Sequence, residues 1–340
     1  MKVIVVNPKG QKDITDLVIQ ATWSGSYSQV ARKLELTIAS SATDYYLAKT
    51  SIELGNLIKF YIDDALLFTG YAFVKSRSGK GDALEITAYD GAIYLLKNEA
   101  SYNFKNISAE RIAARICNDF DIPAGQFART GINQSFIPVG ETCYDIIMKA
   151  YSKAAEQNGK KYMVLMEDNK LSVIQRGDLA VDYILCDDRD ITDGTYSESL
   201  EDMVNEVAIV DSKGNKTGQV SNPDWIKSFG RLHAVYERED GVNAAVAAKT
   251  KLHGITRSGT VSAAGNIDCI TGYSVGIRDS FTGLVGTFNI DADTHTWENG
   301  LYTLQLELNF DEIMDEKTYR SKNKKASKKK TVNVTLHWNL

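Results

Sequence analysis

The chain has 340 residues, 43% of them hydrophobic, and carries a formal net charge of −5. This length allows two or three domains, and the composition is that of a globular protein with a sizeable core. No apolar run is long enough to span a bilayer, which excludes helical membrane proteins. The four cysteines lack CxxC spacing, which excludes zinc or redox motifs and suits a reducing cytoplasm.

Residues 1–97 make up the first predicted domain, in which short strands alternate with turns. Residues 1–6 predict a strand, and every second residue of 33–38 is apolar, which is the period of a half-buried strand. Residues 24–28, Ser-Gly-Ser-Tyr-Ser, have the composition of a flexible loop. Many short strands of this kind indicate a β-sandwich or a small barrel.

A meander of three strands completes this domain, over residues 57–62, 66–74 and 84–89. Asp63 and Asp64 form the turn between its first two strands, because polar pairs of this type favour tight turns. A glycine-rich polar loop separates the second strand from the third.

Residues 98–178 form the second predicted domain, because the apolar period changes there to that of helices. Ser108 is expected to cap a first helix. Thr142 is expected to cap a second helix, with Asp145 three residues on as its capping-box partner. Residues 162–175 predict a hairpin, so this segment is a compact α+β module inserted between β domains.

Residues 179–340 form the third predicted domain. Pro223 is expected at the first position of a short helix, and Asp240 is expected to cap a helix over residues 242–253. Residues 331–340 alternate between apolar and polar without a break, which predicts a strand that pairs with a sheet.

A second meander is predicted over residues 271–310, with its middle strand at 284–290 followed by a polar loop at 291–299. Both meanders carry Phe-Thr-Gly just before or inside their middle strands, at 68–70 and 281–283. Two similar β units in one chain suggest an internal duplication. The alternative is that any two antiparallel meanders look alike.

Two acidic clusters could be mistaken for metal sites. His295 lies near Asp291 and Asp293, and a polar loop is the favoured interpretation over a ligand set. Residues 187–190 with Asp193 resemble a calcium loop in content but lack its spacing of acidic residues around a glycine and a distal glutamate. A solvated loop is therefore favoured there too, and no metal site is predicted.

No enzyme motif is present in the sequence. There is no HExxH, no GxSxG and no complete P-loop, and the 44 acidic residues single out no pair of carboxylates for glycoside cleavage. We therefore predict no catalytic residue, no cofactor-binding residue and a role other than that of an enzyme.

A basic segment at residues 317–330 holds eight basic residues and no acidic one, and removing those eight charges from the net −5 leaves −13 for the remainder. An acidic body argues against broad nucleic-acid binding by the fold itself. The segment could contact an acidic partner or nucleic acid, but only Tyr319 could stack on bases, and a solvated loop is the favoured alternative. The candidate contacts are Lys322, Lys324, Lys325, Lys328, Lys329 and Lys330.

A series of short motifs, taken in order, resembles the baseplate hub proteins of contractile phage tails and of tail-derived bacteriocins of Gram-positive bacteria. The hubs of PBSX-type defective prophages are close to it. The motifs lie at residues 23–25, 31–35, 67–70, 88–90, 94–95, 108–110, 205–207, 282–288, 295–297 and 299–300. The lysine-rich segment lies outside this pattern.

The resemblance implies a mainly-β α+β fold in which two tube-like antiparallel barrel or sandwich domains flank the α+β module. It also implies a homotrimeric ring that adapts a sixfold tail tube to a threefold central spike. Implied partners are the tail tube, spike, tape-measure and other baseplate proteins, with DNA only as passing cargo if the particle is a phage. The protein would be made in the bacterial cytoplasm and assembled into the particle. The alternative function is that of a cell-wall-directed enzyme or glycan-binding module of a tail tip.

Overall fold

The computed structural model describes residues 1–41, 51–77, 82–167, 169–177, 180–238 and 243–310, together with Lys317. Its fold is α+β and mainly β, as the resemblance implied. None of the helices in these described ranges is long and apolar enough to cross a membrane.

In the described part of the N-terminal region, antiparallel strands precede one short helix. These elements are β1 (Lys2–Asn7), β2 (Gly10–Asp13), β3 (Val18–Ser26), β4 (Gln29–Ala39), β5 (Leu57–Ile62), β6 (Ala65–Arg77), β7 (Ala83–Tyr89) and α1 (Ile93–Lys97). The alternation in β4 buries Leu34, Leu36 and Ile38, as predicted. Asp63 and Asp64 both have positive φ, 46° and 64°, as a tight two-residue hairpin turn requires.

The α+β module packs two helices against short strands. Its elements are β8 (Glu99–Ala100), β9 (Phe104–Ser108), α2 (Ala109–Asp119), β10 (Ala124–Phe127), β11 (Asn133–Phe136), β12 (Glu141–Thr142), α3 (Cys143–Asn158), β13 (Tyr162–Glu167) and β14 (Lys170–Gln175). The predicted cap of α3 is confirmed, since the Asp145 backbone N–H donates to Thr142 Oγ1 at 3.1 Å. The predicted hairpin is β13 and β14.

The C-terminal region continues the strands and carries a small insertion. Its elements are β15 (Ala180–Cys186), β16 (Ile191–Ser199), β17 (Glu206–Val210), β18 (Lys216–Ser221), α4 (Pro223–Phe229), β19 (His233–Glu237), α5 (Ala244–Lys249), β20 (Thr256–Ala264), β21 (Ser274–Asp279), β22 (Leu284–Glu298) and β23 (Leu301–Asn309). The insertion between β16 and β20 forms a separate sheet of β18, β17 and β19. Pro223 begins α4 as predicted, whereas α5 is capped by Asn243; Asp240, the predicted cap, lies outside the described residues.

Five strands of each half have the same order. In the first half the order is β5-β6-β7-β4-β3, and in the second it is β21-β22-β23-β20-β16. All neighbouring pairs within both sets are antiparallel. We call β3–β7 the first repeat and β16 with β20–β23 the second repeat. Their shared strand order supports the internal duplication, while the division into three domains stays a prediction.

Two β-bulges occur at equivalent places in the repeats. One extra residue interrupts the first strand of each, Ile19 in β3 and Thr192 in β16. Another interrupts the fourth strand of each, Phe73 in β6 and Asp291 in β22. Because a bulge is a localised feature of one register, two coincident bulges align the repeats residue by residue.

Strand β22 joins the repeats into one sheet. Its residues 284–289 pair with β21, and its residues 292–298 pair with β3 of the first repeat. The apolar core crosses this junction, because Trp297 of β22 belongs to the buried cluster of the first repeat. The module is attached to the first repeat by Val30 and Ala31 of β4, which are part of its own core.

Two segments predicted as loops are strands instead. Ser24, Gly25 and Ser26 end β3, and residues 291–298 continue β22 up to a turn at Asn299. Both segments pair with each other, so their polar residues lie in a sheet that neither segment reveals alone. Polar composition therefore led to a wrong prediction of loops where strands that are distant in sequence pair with each other.

Candidate functional site: the inner seam and the exposed sheet edges

The antiparallel pairing of β22 with β3 is the contact between the repeats, and we call it the inner seam. It runs from Ala292 opposite Ser26 to Glu298 opposite Gln20. At its centre His295 lies opposite Trp23. Side chains placed opposite each other in an antiparallel pair are close enough to interact, so the seam brings polar and aromatic groups of both repeats together.

A buried ionic cluster lies on the inner seam. Arg32 of β4 donates to both carboxylate oxygens of Asp293, at 2.9 Å from Nη1 to Oδ1 and also from Nη2 to Oδ2. Thr271 donates to Asp293 Oδ1 from its backbone N–H and its hydroxyl, both at 2.6 Å. The Asp293 side chain is fully buried. Such a pair is stabilising only when its remaining hydrogen-bonding groups are satisfied, as they are for this carboxylate.

Backbone geometry makes room for the arginine. The Arg32 guanidinium lies over the Trp23 ring, 3.8 Å from its centroid, a cation–π contact. Gly25 lies opposite Asp293 in the seam, and a Cβ there would be 2.5 Å from Arg32 Nη1. Glycine at this position therefore leaves room for the guanidinium beside the carboxylate.

His295 completes the cluster on the side of the second repeat. Its Nδ1 lies 2.8 Å from the Tyr302 hydroxyl, and its Nε2 lies 3.1 Å from Asp293 Oδ2. Burial lowers the pKa of His295 despite the neighbouring carboxylate, so the imidazole is neutral at neutral pH. Burial opposes ionisation of Asp293, but Arg32 and His295 outweigh it and hold the pKa of Asp293 well below its usual range.

The neighbouring Asp291 serves another contact. As the bulge residue of β22 it accepts from Arg176 of the module at 2.7 Å and from Asn309 at 2.6 Å. The equivalent bulge residue of the first repeat, Phe73, packs on the core of the module. Both bulges therefore aim a side chain at the module, which is a common use of bulges.

These contacts assign the acidic residues singled out in the sequence. Asp291 and Asp293 bind different arginines, and His295 is buried between aromatic rings. In the other acidic cluster, Asp187 accepts from the Ser280 backbone at 2.8 Å and Asp190 accepts from the Cys186 backbone at 3.1 Å. No group of three or more potential metal ligands is found among the described residues.

A cavity of about 400 Å³ lies beside the inner seam, between both repeats and the module. Trp23 and Arg32 line it from the first repeat, Tyr273 from the second and Met163 from the module. Among described atoms, Trp23 Nε1 and Arg32 Nε have no hydrogen-bond partner. A cavity of this size beside unpaired donors can hold ordered water.

Asp90, which directly follows β7, lines a smaller adjoining cavity. Its carboxylate accepts from the backbone N–H groups of Arg32 at 3.1 Å and Ala92 at 2.9 Å. Burial raises the pKa of Asp90 to about 7 although these bonds oppose the shift. Asp90 is therefore a carboxyl group that titrates near neutral pH within the first repeat.

Two sheet edges remain exposed. Within the described ranges β16 pairs only with β20, and its Tyr196, Ser197 and Glu198 are exposed. Strand β6 extends beyond the last residue that β5 covers, Tyr71, so residues 74–77 pair on one side with β7 and with no described strand on the other. We call residues 196–199 of β16 the β16 edge, and we call residues 74–77 of β6 the β6 edge.

The six lysines proposed as partner contacts lie outside the described residues, as does the strand predicted over residues 331–340. The basic segment begins at Lys317, which is described. Its backbone N–H donates to Ser152 Oγ at 3.0 Å, and its Nζ lies 3.8 Å from Asp145 Oδ1. The segment therefore starts against α3 of the module.

Comparison with known proteins identifies a family, a relative and solved structures that this chain resembles. The model of the YQBQ-like family matches residues 21–309. The phage-like element PBSX protein XkdQ of Bacillus subtilis (strain 168) is 29% identical over 297 residues, which cover 84% of this chain and 90% of that protein.

Two solved structures share the fold at 15% sequence identity. The 43 kDa tail protein of prophage MuSo2 from Shewanella oneidensis has a TM-score of 0.71, covering 91% of this chain and 96% of that chain. A tail protein from Neisseria meningitidis MC58 has a TM-score of 0.61, covering 90% of this chain and 95% of that one. The coverage extends the likeness over both repeats and the module.

Proposed function

This chain belongs to the YQBQ-like family, and from that premise we propose that it is the structural baseplate hub of a contractile tail. Three copies form a ring that presents six similar repeats to the tail tube and a threefold face to the central spike. The protein has a structural role and not an enzymatic one.

The observation that carries this proposal is the pair of repeats. Each has five strands in the same order with bulges at the same two places. A trimer of such a chain contains six equivalent β units, which is what a match between threefold and sixfold neighbours requires. Head-to-tail interfaces of this kind close into a ring when the rotation between units allows it.

The proposed partners follow from this position in the tail. They are the tail tube protein, the spike, the tape-measure protein and other baseplate proteins, with DNA only as passing cargo in a phage. The acidic body, with a net charge of −13 outside the basic segment, suits a channel that does not retain DNA. We propose that the lysines of the basic segment are among the partner contacts. Synthesis takes place in the bacterial cytoplasm, followed by assembly into the particle.

A mass measurement beside a peptidoglycan release assay tests the proposal. The purified chain is expected to reach three times the mass of one chain, alone or with its spike, and to release no peptidoglycan fragments. A monomer that releases fragments would favour a wall-directed enzyme. A chain that never trimerises and is absent from purified tails would contradict the hub.

A further inference from the structure

The inner seam has an equivalent that a single chain leaves open. Alignment through the bulges makes residues 292–295 of β22 equivalent to residues 74–77 of β6. It makes residues 23–26 of β3 equivalent to residues 196–199 of β16. Since 292–295 and 23–26 pair with each other in the chain, the β6 edge and the β16 edge are the two unused halves of the same contact.

Both halves are accessible in one chain. Val74 is 48% exposed and Tyr196 37% exposed. Residues 75–77 of β6 and residues 197–198 of β16 are exposed as well, and Ser199 is half-buried. Exposed strand edges carry unpaired backbone donors and acceptors that favour pairing with another strand. The edges belong to different repeats: β16 is the terminal strand at one end of the large sheet, whereas the β6 edge is the part of β6 that β5 leaves uncovered.

We propose that the β16 edge of one copy pairs antiparallel with the β6 edge of a second copy, in the register of the inner seam. Val74 then lies opposite Ser199, Lys75 opposite Glu198, Ser76 opposite Ser197 and Arg77 opposite Tyr196. We call this contact the outer seam. It rests on the proposed hub ring, and it specifies which strands close that ring.

The side chains on the two edges are complementary in this register. Lys75 and Glu198 become direct cross-strand neighbours of opposite charge, a pairing that stabilises antiparallel sheets. Arg77 faces the Tyr196 ring, where a cation–π contact can form. A two-fold pairing of two β16 edges would instead bring carboxylates of Glu198 close to each other.

Comparison with the inner seam explains how the two edges of the outer seam can stay open in the free chain and pair only when a second copy binds. Arg257 occupies the place of Arg32, but it binds the exposed Glu198 of its own repeat at 3.0 Å. In place of the buried Asp293 the β6 edge carries Lys75, which is bound to the exposed Glu53 at 3.2 Å. No unpaired charge is buried in the free chain at these positions. The two edges can therefore remain exposed to water until a second copy binds.

Cysteine cross-linking of the full chain tests the register. Opposite residues of an antiparallel pair have Cα atoms about 4.5–5.5 Å apart, within the reach of a disulfide. Under mild oxidation Lys75→Cys with Glu198→Cys is expected to give covalent trimers, as is Ser76→Cys with Ser197→Cys. The four native cysteines are buried and give little background. The control is Lys75→Cys with Ser197→Cys, whose side chains would point to opposite faces.

Three outcomes would overturn the outer seam. A trimer by mass that forms none of these disulfides would rule out this register without contradicting the hub. A chain that stays monomeric and uncross-linked, both alone and with its spike, and that is absent from purified tails would contradict both proposals. Disulfide dimers of the Glu198→Cys variant alone would indicate two-fold edge pairing.

Hydrogen exchange of residues 196–199 provides an independent measurement. Their outward amides are expected to exchange rapidly in the monomer and slowly in the trimer. Slow exchange already in the monomer would show that the same chain covers the edge. A charge exchange, Lys75→Glu with Glu198→Lys, is expected to restore the association that Glu198→Lys alone loses, and a double variant no better than the single one would contradict the register.

Discussion

The two repeats use one strand order for two different environments. At the inner seam the first repeat places Arg32 against Asp293 and Trp23 opposite His295. Trp23, Asp293 and His295 are buried, and Arg32 is largely buried. At the equivalent edge the second repeat has Tyr196 and Arg257, which face solvent. The difference teaches that strand topology sets where a seam can form, while side chains decide whether it is closed within the chain or left open to a partner.

The largest expected effect separates the two equivalent arginines. Arg32→Ala leaves the Asp293 carboxylate buried without its partner, so we expect a loss of about 3–5 kcal/mol in the free energy of unfolding. Arg257→Ala removes an exposed ion pair and should leave the midpoint of urea unfolding unchanged. Equal losses of stability in Arg32→Ala and Arg257→Ala would contradict the view that a buried ion pair stabilises the inner seam and not the exposed edge.

A smaller effect is expected from the glycine that admits the arginine. In Gly25→Ala the added Cβ meets Arg32 Nη1 at 2.5 Å, and Arg32 cannot move without leaving Asp293. We expect a loss of about 1–3 kcal/mol, typical of an overpacked site. Gly218→Ala is the matched control, because its Cβ would meet Ile209 at an ordinary 3.4 Å. Unfolding midpoints that fall equally would show that the close approach is unimportant.

The smallest effect, when measured over one pH unit, concerns the pH dependence of stability, and it should arise from the first repeat alone. Because burial raises the pKa of Asp90 to about 7, its contribution to stability is full below about pH 4 and is lost as pH rises through 7. The slope is at most about 1.4 kcal/mol per pH unit. Asp90→Asn should flatten the pH dependence of the unfolding midpoint between pH 5 and 8. Phe310 occupies the equivalent place in the second repeat, which therefore has no titrating group there.

An exposed carboxyl provides the control for this pH experiment. Asp16→Asn changes an exposed residue of the same half and should keep the slope of the unmodified chain. If Asp16→Asn flattened the curve as much as Asp90→Asn, the pH dependence would not arise from the buried carboxyl. If neither variant altered the slope, Asp90 would not titrate between pH 5 and 8.

Local features of the fold were predictable from the sequence. Thr142 and Pro223 mark the starts of helices because caps and first positions depend on a few neighbouring residues. The Asp63 and Asp64 turn follows from the same kind of local chemistry. The two meanders were also correctly placed, because each is built from strands adjacent in sequence.

The candidate site was predictable only in part. His295, Asp291 and Asp293 stood out, but in a segment predicted as a loop, and nothing in the sequence linked them to Arg32. One signal was available in the sequence: Asp293, His295 and Trp297 are spaced two residues apart, which is the period of side chains on one face of a strand. The partner strand, β3, lies more than 250 residues away along the chain.

The sequence by itself determined the repeated strands, the helix caps and the family of the chain, because alternation, capping chemistry and ordered motifs act over short distances. Only the tertiary structure decided that residues 24–26 and 292–298 are paired strands and that Arg32 neutralises Asp293. The reason is physical: a buried polar residue is stable only beside a partner, and the partner's position is set by the folding of the whole sheet.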